Sequence, residues 1–253
     1  MASASHWPGL LRSLAIYLAI PGRARRLRRF YAPWIGVGDL CFDLGAHVGN
    51  HARCWRRLGA TVVAVEPQPA FARWLRWLFR GDKQFVLLEQ AVGAKAGWAV
   101  LRVSPRTPTV STLATAWIAR VGASDAFAGV RWEPGPEVAV TTLDALIARF
   151  GEPAYVKIDV EGFEREVLAG LGRPPRAVAF EYIPAAVDLA IACVERLAEL
   201  GQYRFNRSEG ETYRLCERDW VDAETMIDRL RTLDHAPRSG DVIAVRADAL
   251  KDS

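Results

Sequence analysis

Three ionisable side chains alternate through Lys157-Ile-Asp159-Val-Glu161-Gly162. Alternate residues of an extended strand share a face, so Lys157, Asp159 and Glu161 point one way while Ile158 and Val160 point the other. The run from Ala154 to Val160 reads as an interior strand, where charges are unfavourable unless paired, bound to a ligand or chemically employed. A carboxylate beside an ammonium suits two roles: an ion pair that braces a sheet, or a base kept ionised next to a cation. Both stay open on the residues alone. The next apolar run, Ala177 to Tyr182, ends in Glu181 and Tyr182, which can converge on the same crevice.

A second constellation lies near the start of the chain, in Asp43-Leu-Gly45-Ala46-His47-Val48-Gly49-Asn50. It joins an apolar run to a helical one. Its glycines suit a tight turn or the close approach of a ligand to the backbone, and the helix start that follows faces amide N–H groups toward an anion. His47 stands where a dinucleotide fingerprint would place its second glycine, which counts against a nicotinamide or flavin enzyme. Val62-Val-Ala-Val-Glu66-Pro67 then ends an apolar strand in an acid, where a carboxylate can accept both hydroxyls of a ribose. A ligand with a neutral ribose, one carboxylate and one cationic centre fits S-adenosylmethionine (SAM). Asp43 would lie beneath the loop, holding backbone donors or the ligand's ammonium. Glu89, Gln90 and Ala91 fall where an adenine edge would sit.

The elements that must position these residues alternate strand and helix from Asp39 onward. Strands are expected at Asp39–Leu44, Thr61–Val65, Phe85–Val92 and Trp98–Val103, with helices over Asn50–Leu58 and Pro69–Phe79. Residues 104–137 break the rhythm with four prolines and read as an insertion holding a short helix near Leu113–Val121. Strands at Val138–Thr141, Ala154–Val160 and Ala177–Tyr182 follow, with helices over Leu143–Phe150 behind Thr142, Phe163–Leu171 and Ala185–Leu200. Tyr203–Asn206 and Val242–Val245 close one edge as an antiparallel pair. The pattern predicts an α/β fold with a doubly wound, mostly parallel sheet. One domain over 35–253 carries an N-terminal helical arm over 1–34 and the insertion.

The chain has 253 residues, 51% hydrophobic and 25% charged, which excludes a disordered or collagenous protein. Its four cysteines form no C-x-x-C pair and have no histidine at metal spacing, so zinc is not expected and a reducing cytoplasmic compartment is. The net charge of +4 is concentrated in residues 1–34, which hold Arg12, Arg23, Arg25, Arg26, Arg28 and Arg29 and no acid. Leu10–Ile20 is too short to span a bilayer, and its arginines follow the apolar run rather than precede it, unlike an export signal. The arm reads either as a helix packing its Leu/Ile/Tyr face on the domain with solvated arginines, or as a peripheral contact with anionic lipid at the inner membrane face. No basic, aromatic-interleaved groove appears elsewhere, so no nucleic-acid partner is expected.

Four segments in this order, Asp43 to Asn50, Val-Ala-Val-Glu-Pro ending at Pro67, Thr-Thr-Leu-Asp144 and Val-Lys-Ile-Asp-Val-Glu-Gly-Phe-Glu164, resemble the FkbM-type SAM-dependent methyltransferases over about Asp39 to Tyr182. The resemblance implies a class I methyltransferase (Rossmann-like) fold and O-methylation of a hydroxyl on a sugar, glycan, glycolipid or secondary metabolite. By position it places Asp43, Gly45, Ala46, His47 and Gly49 in the donor loop, with Asn50 behind them. Glu66 and its neighbour Pro67 fall at the ribose, and Asp159 and Glu161 in the acidic active-site segment. A hydroxyl is a poor nucleophile until its proton is removed or a cation stabilises its oxyanion. Asp159 would be the base or a metal ligand, with Glu161 and Glu181 completing an oxygen site for Mg2+ or Mn2+. His47 is an alternative base or a cofactor contact. Lys157 would hold Asp159 ionised or act itself. The insertion residues Ser111, Thr112, Trp117 and Trp132 would form an acceptor lid, unless the tryptophans simply pack on the sheet. Two competing readings are a nucleotide-dependent oxidoreductase and a non-catalytic membrane-surface protein that retains the fold.

Overall fold

The computed structural model of the protein describes residues 22–233 and 238–250; the apolar stretch Leu10–Ile20 and Arg12 lie outside them. A helix α1 (Arg23–Tyr31) leads into β1 (Leu40–Leu44), α2 (Asn50–Leu58), β2 (Thr61–Val65), α3 (Pro69–Leu78) and β3 (Phe85–Leu88). Two short pieces follow, β4 (Ala91–Val92) and β5 (Gly97–Val103), then α4 (Thr115–Val121) and β6 (Glu133–Thr141). The second half runs α5 (Leu143–Phe150), β7 (Tyr155–Ile158), α6 (Glu164–Ala169), β8 (Ala177–Tyr182), α7 (Val187–Leu200), β9 (Tyr203–Glu209), α8 (Ala223–Arg231) and β10 (Gly240–Arg246).

Seven strands form the main sheet in the order β3-β2-β1-β7-β8-β10-β9. All neighbours are parallel except β10, which runs against both β8 and β9. The chain winds outward from β1 through β2 to β3, then returns to β7 on the other side of β1, so the order reverses between β1 and β7. Ligands of open α/β sheets bind outside the carboxyl ends of the strands at such a reversal.

Alternation along each strand builds two cores. Phe42, Leu44, Val156, Ile158, Val178 and Phe180 face α5, α6, α7 and α8. Cys41, Ala64, Tyr155, Ala177, Ala179 and Ile243 face α1, α2 and α3. The same alternation puts Asp43, Lys157, Glu181 and Asp241 on the second face, at the end of the strands where the order reverses. Local signals hold many boundaries: Gly49 and Gly59 flank α2 with φ of 78° and 92°, and Thr142 caps α5 by accepting the Ala145 N–H at 3.1 Å.

Four expectations need correction. The run Phe85–Val92 is two strands: β3 stays in the main sheet, while β4 pairs with β6 in a separate three-stranded sheet of order β4-β6-β5. β6 begins at Glu133, inside the expected insertion, and accommodates Pro134 and Pro136 beside a register shift in β5. β7 ends at Ile158, so Asp159 and Glu161 leave the strand and sit on the loop beyond it. Helix α8 had no counterpart in the pattern analysis.

The arm is also more integrated than its arginines suggest. Leu27, Tyr31 and Ile35 are buried, and the Tyr31 ring stands edge-on to Trp55 and Tyr155 at 5.4 and 5.2 Å. Arg23 is only 5% exposed and pairs with Glu211. Arg25, Arg26, Arg28 and Arg29 are solvated, as a packed amphipathic helix requires. Tyr31→Ala is therefore expected to destabilise the fold by about 3 kcal/mol, the scale for emptying a large buried aromatic site. Urea unfolding checks this; a loss below about 1 kcal/mol would mean that α1 is only loosely attached.

Candidate active site

Charge organises the reversal point. Lys157 is 2% exposed, and its Nζ donates to Asp159 Oδ2 at 3.2 Å and to Asp241 Oδ1 at 2.9 Å. Lys157 stands level with Ala179, whose small side chain leaves β8 passable between the ammonium and β10. Burial alone would lower the ammonium's pKa, but Asp159 and Asp241 outweigh burial and hold it well above its usual value. Burial would raise Asp159, and here Lys157 wins, keeping that carboxyl below its ordinary range. Asp241 is raised, because burial exceeds the share of Lys157 it receives.

Two further carboxyls crowd the same spot. One oxygen from each of Asp159, Glu161 and Glu181 lies within 4.8 Å of the others. Burial first, then the neighbouring acids, raises both Glu161 and Glu181 well above the normal carboxyl range. Glu181 Oε2 is buried without a hydrogen-bond partner among the described residues. Three carboxyls at this spacing do not all ionise unaided, so the group either retains protons or attracts a cation. Glu161 is presented by a backbone at φ 55°, and Gly162 follows at φ 85°. A Cβ on Gly162 would lie 2.2 Å from Trp117 Cγ, so this turn is pressed against the α4 tryptophan.

The glycine loop opposite is wired inward. Gly45 and Ala46 donate to Val65 O at 2.9 and 3.1 Å, and His47 N donates to Glu66 Oε2 at 2.8 Å. Gly45 needs its freedom for a backbone neighbour rather than for a ligand: a Cβ there would stand 1.9 Å from Asp159 O. Gly49 is likewise pressed by its surroundings: a Cβ there would lie 2.7 Å from Leu75 Cδ2. Asp43, 1% exposed, accepts the Ala52 N–H at 3.1 Å and so satisfies one open donor of α2. Glu66, 2% exposed, accepts from His47 and from Gln68 N at 2.8 Å through different oxygens. A carboxylate has about four lone-pair positions, so two remain for a ligand. Burial pushes Glu66 and Asp43 up to about 7, and in Asp43 Lys157 partly opposes this.

Three clefts meet here. The first, of about 560 Å3, is lined by Gly45, His47, Glu66, Pro67, Gln90 and Ala91 among others. These are six of the ten residues expected to hold a donor. Asn50 borders the second cleft beside His51 and Glu211. Asp43, Ala46 and Gly49 line none of the three and serve as support beneath the loop. The third cleft, of about 1740 Å3, is lined by Phe127, Ile183, Asp125, Glu181 and Arg238 among others. Glu161 lines all three, and Asp159 the first two.

The acceptor residues expected from sequence divide. Glu181 lines the large cleft, whereas Ser111 and Thr112 line the first one, where Ser111 Oγ donates to Gln68 Oε1 at 3.1 Å. Trp117, 3% exposed, packs edge-on to Phe127 and Trp132 and offers no open face for stacking. Tyr182 is buried and lines none of these clefts. His47 packs on Phe71 at 4.2 Å, and burial drops its pKa to about 4. So weak a base holds few protons at neutral pH, which favours the contact role over the basic one.

The sequence of the methyltransferase FkbM domain matches residues 43–190 of the chain. The chain belongs to the FkbM methyltransferase family. No relative among curated proteins matches it. Similar solved structures include precorrin-6Y C5,15-methyltransferase from Geobacter metallireducens, 10% identical over 89% of this chain and 87% of that one, with a TM-score of 0.47. A TehB-like SAM-dependent methyltransferase from Corynebacterium glutamicum is 10% identical over 93% and 94%, with a TM-score of 0.46. An O-methyltransferase from Bacillus cereus in complex with SAH is 12% identical over 97% and 92%, also at 0.46. The sheet of this FkbM-family chain, parallel but for β10, is the class I arrangement its motifs implied. Membership in a methyltransferase family also favours that activity over the oxidoreductase alternative.

Pattern reasoning missed three polar residues of this FkbM-family site. His51 Nδ1 lies 2.9 Å from the Tyr31 hydroxyl, and burial together with Lys157 lowers its pKa to about 3. Its signal was position: it stands in the first turn of α2, one residue beyond the expected loop. Asp241 begins the alternation Asp241, Ile243, Val245 in β10. Glu211 reaches the second cleft from the loop after β9, and no local pattern could have assigned it. Among the described residues no helix is long and apolar enough to cross a membrane.

Proposed function

We propose that this protein is a SAM-dependent O-methyltransferase acting on a hydroxyl of a neutral, polyhydroxylated acceptor: a sugar, glycan, glycolipid sugar or secondary metabolite. The observation that carries the reading is Glu161, which lines both the Glu66 cleft and the large cleft beside Glu181. The residues fit the donor. Glu66 keeps lone pairs for two ribose hydroxyls, Gln90 and Ala91 border the adenine side, and Asn50 and His51 open α2 with first-turn amides that have no partner within the helix. Bound SAM supplies a methyl group on a sulfonium, open to in-line attack by an oxygen nucleophile.

The chain's own part is to bring an acceptor hydroxyl into line and to take its proton. Burial and neighbouring acids raise the pKa of Glu161 and Glu181, so whichever of them is ionised is a stronger base than an ordinary carboxylate and can take that proton. Asp159, held ionised by Lys157, keeps negative charge beside them and orients what they bind. Asp125, Glu161 and Glu181 on the wall of the large cleft accept hydrogen bonds from hydroxyls and repel anionic acceptors, while Phe127 and Ile183 supply apolar contact.

Calorimetric titration with SAM and its demethylated product tests the reading. Glu66→Ala is expected to weaken both ligands about tenfold or more, while Glu161→Gln spares binding and lowers turnover by about 30-fold. The pH dependence has a fixed sign: hydroxyl donors bind the ionised Glu66, so product affinity falls as pH drops below about 7. Magnesium is varied in the same titration, because the three clustered carboxyls are close enough for a hard oxygen-liganded ion. Absence of binding in a folded sample would sink the proposal.

A further inference from the structure

The two helical layers of the protein carry opposite charge. Helices α1, α2 and α3 cover one face of the sheet, and their buried sides (Leu27, Tyr31, Ala52, Trp55 and Leu75) join one core. Together these three helices contain ten arginines and not one acid. Helices α5 to α8 on the other face contain eight acids and five arginines. The charge of the first layer is turned outward: Arg25, Arg26, Arg28 and Arg29 on α1, Arg57 on α2, and Arg73 and Arg76 on α3 are exposed. Among the described residues three of the ten pair with an acid, Arg23 with Glu211, Arg56 with Asp82 and Arg76 with Glu89, and all three acids come from outside the helices. On the same layer Trp77 is 60% exposed beside Trp74, at a ring separation of 4.9 Å, and Val37 at the end of α2 is 90% exposed.

Such a layer repels itself in solution and is stabilised by a planar array of anions. We propose that the α1–α3 layer docks the protein on an anionic phospholipid bilayer, with its arginines on the phosphates and Trp77 in the headgroup region. Charge complementarity and the protruding indole favour lipid over a polynucleotide. A polynucleotide would seek a groove, and the clefts of this protein are lined by Asp159, Glu161, Glu181 and Glu211, which repel a phosphate backbone. The acidic layer then faces away from the membrane and fixes the orientation.

Co-sedimentation of the full chain with sucrose-loaded vesicles tests this. The protein is expected to pellet with phosphatidylglycerol–phosphatidylcholine vesicles at about 0.1 M salt and to release at about 0.5 M, and to ignore pure phosphatidylcholine. Replacing Arg25, Arg26, Arg28 and Arg29 together by Gln should weaken partitioning about tenfold or more, and Arg73→Gln with Trp77→Ser several-fold. Circular dichroism and product titration, unchanged in both variants, show that each is folded. No vesicle binding by the wild type, or equal binding by the α1 variant, overturns the proposal. Wild-type binding by the α3 variant overturns the three-helix face, and tighter binding to single-stranded RNA than to vesicles at equal salt overturns the choice of lipid.

Discussion

Replacing Lys157 by methionine is expected to destabilise the protein by about 3 kcal/mol, a loss that urea unfolding at pH 8 would measure. The ammonium is buried and is shared by Asp159 and Asp241, at 3.2 and 2.9 Å. Methionine fills the space of the stem but leaves two carboxylates facing each other across a low-dielectric gap. Partial exposure of their side chains, 36% for Asp159 and 24% for Asp241, keeps the effect at the lower end of the range for a broken buried pair. The pH dependence follows from sign. Without Lys157 both carboxyls have folded pKa values raised above their unfolded ones, so the folded variant holds protons that its unfolded chain has lost. The deficit is complete above the raised values and shrinks as pH falls toward the ordinary carboxyl range near about 4. A deficit under about 1 kcal/mol, or one indifferent to pH, would show that the triad is not held by charge.

Gly45→Ala is expected to lower product affinity about 100-fold and stability by about 3 kcal/mol, through strain in a left-handed conformation and a collision with backbone. The φ of 84° disfavours any side chain, and the new methyl would meet Asp159 O at 1.9 Å. Neither side can yield cheaply, because Asp159 N already donates to Leu44 O at 2.9 Å, and Gly45 N to Val65 O at 2.9 Å. Opening that seam moves Asp159 away from Lys157 and shifts Glu66 through the loop. Gly81→Ala supplies the control, since its φ is also 84° but nothing lies within 4 Å. It should show the conformational penalty alone, about 1 kcal/mol, with product affinity unchanged. Normal binding by the Gly45 variant would mean that the loop and the acidic segment are not coupled.

Where local chemistry sets a boundary, the fold was legible in the sequence. Helix α2 stands between its two glycines as expected, and β2 occupies Thr61–Val65. The errors arose where tertiary partners decide. Pro134 and Pro136 argued for a loop, yet β6 tolerates them opposite an irregular stretch of β5. Apolar positions were also too sparse for α8, which buries only Met226 and Leu230 and announces itself by a single cap, Asp222 accepting the Thr225 N–H at 2.9 Å. In the site, Glu66 and the acidic segment were readable because strand ends at a reversal point are predictable places. The role of Gly45 was not, since its crowding comes from Asp159, far along the chain. Asp159 was readable as a partner of Lys157, but the second partner was not, because Asp241 arrives on a strand that follows Lys157 by 84 positions.

That last separation has a consequence during synthesis. The strand β10 enters the sheet between β8 and β9, both of which precede it in the chain. A nascent chain therefore displays two unzipped strands flanking a vacant slot, and a buried lysine with half its counter-charge, until the segment 240–246 emerges. A chain halted after β9 but before β10 would therefore carry sticky edges and an unbalanced interior, a mark by which chaperones and proteases can separate unfinished copies from finished ones.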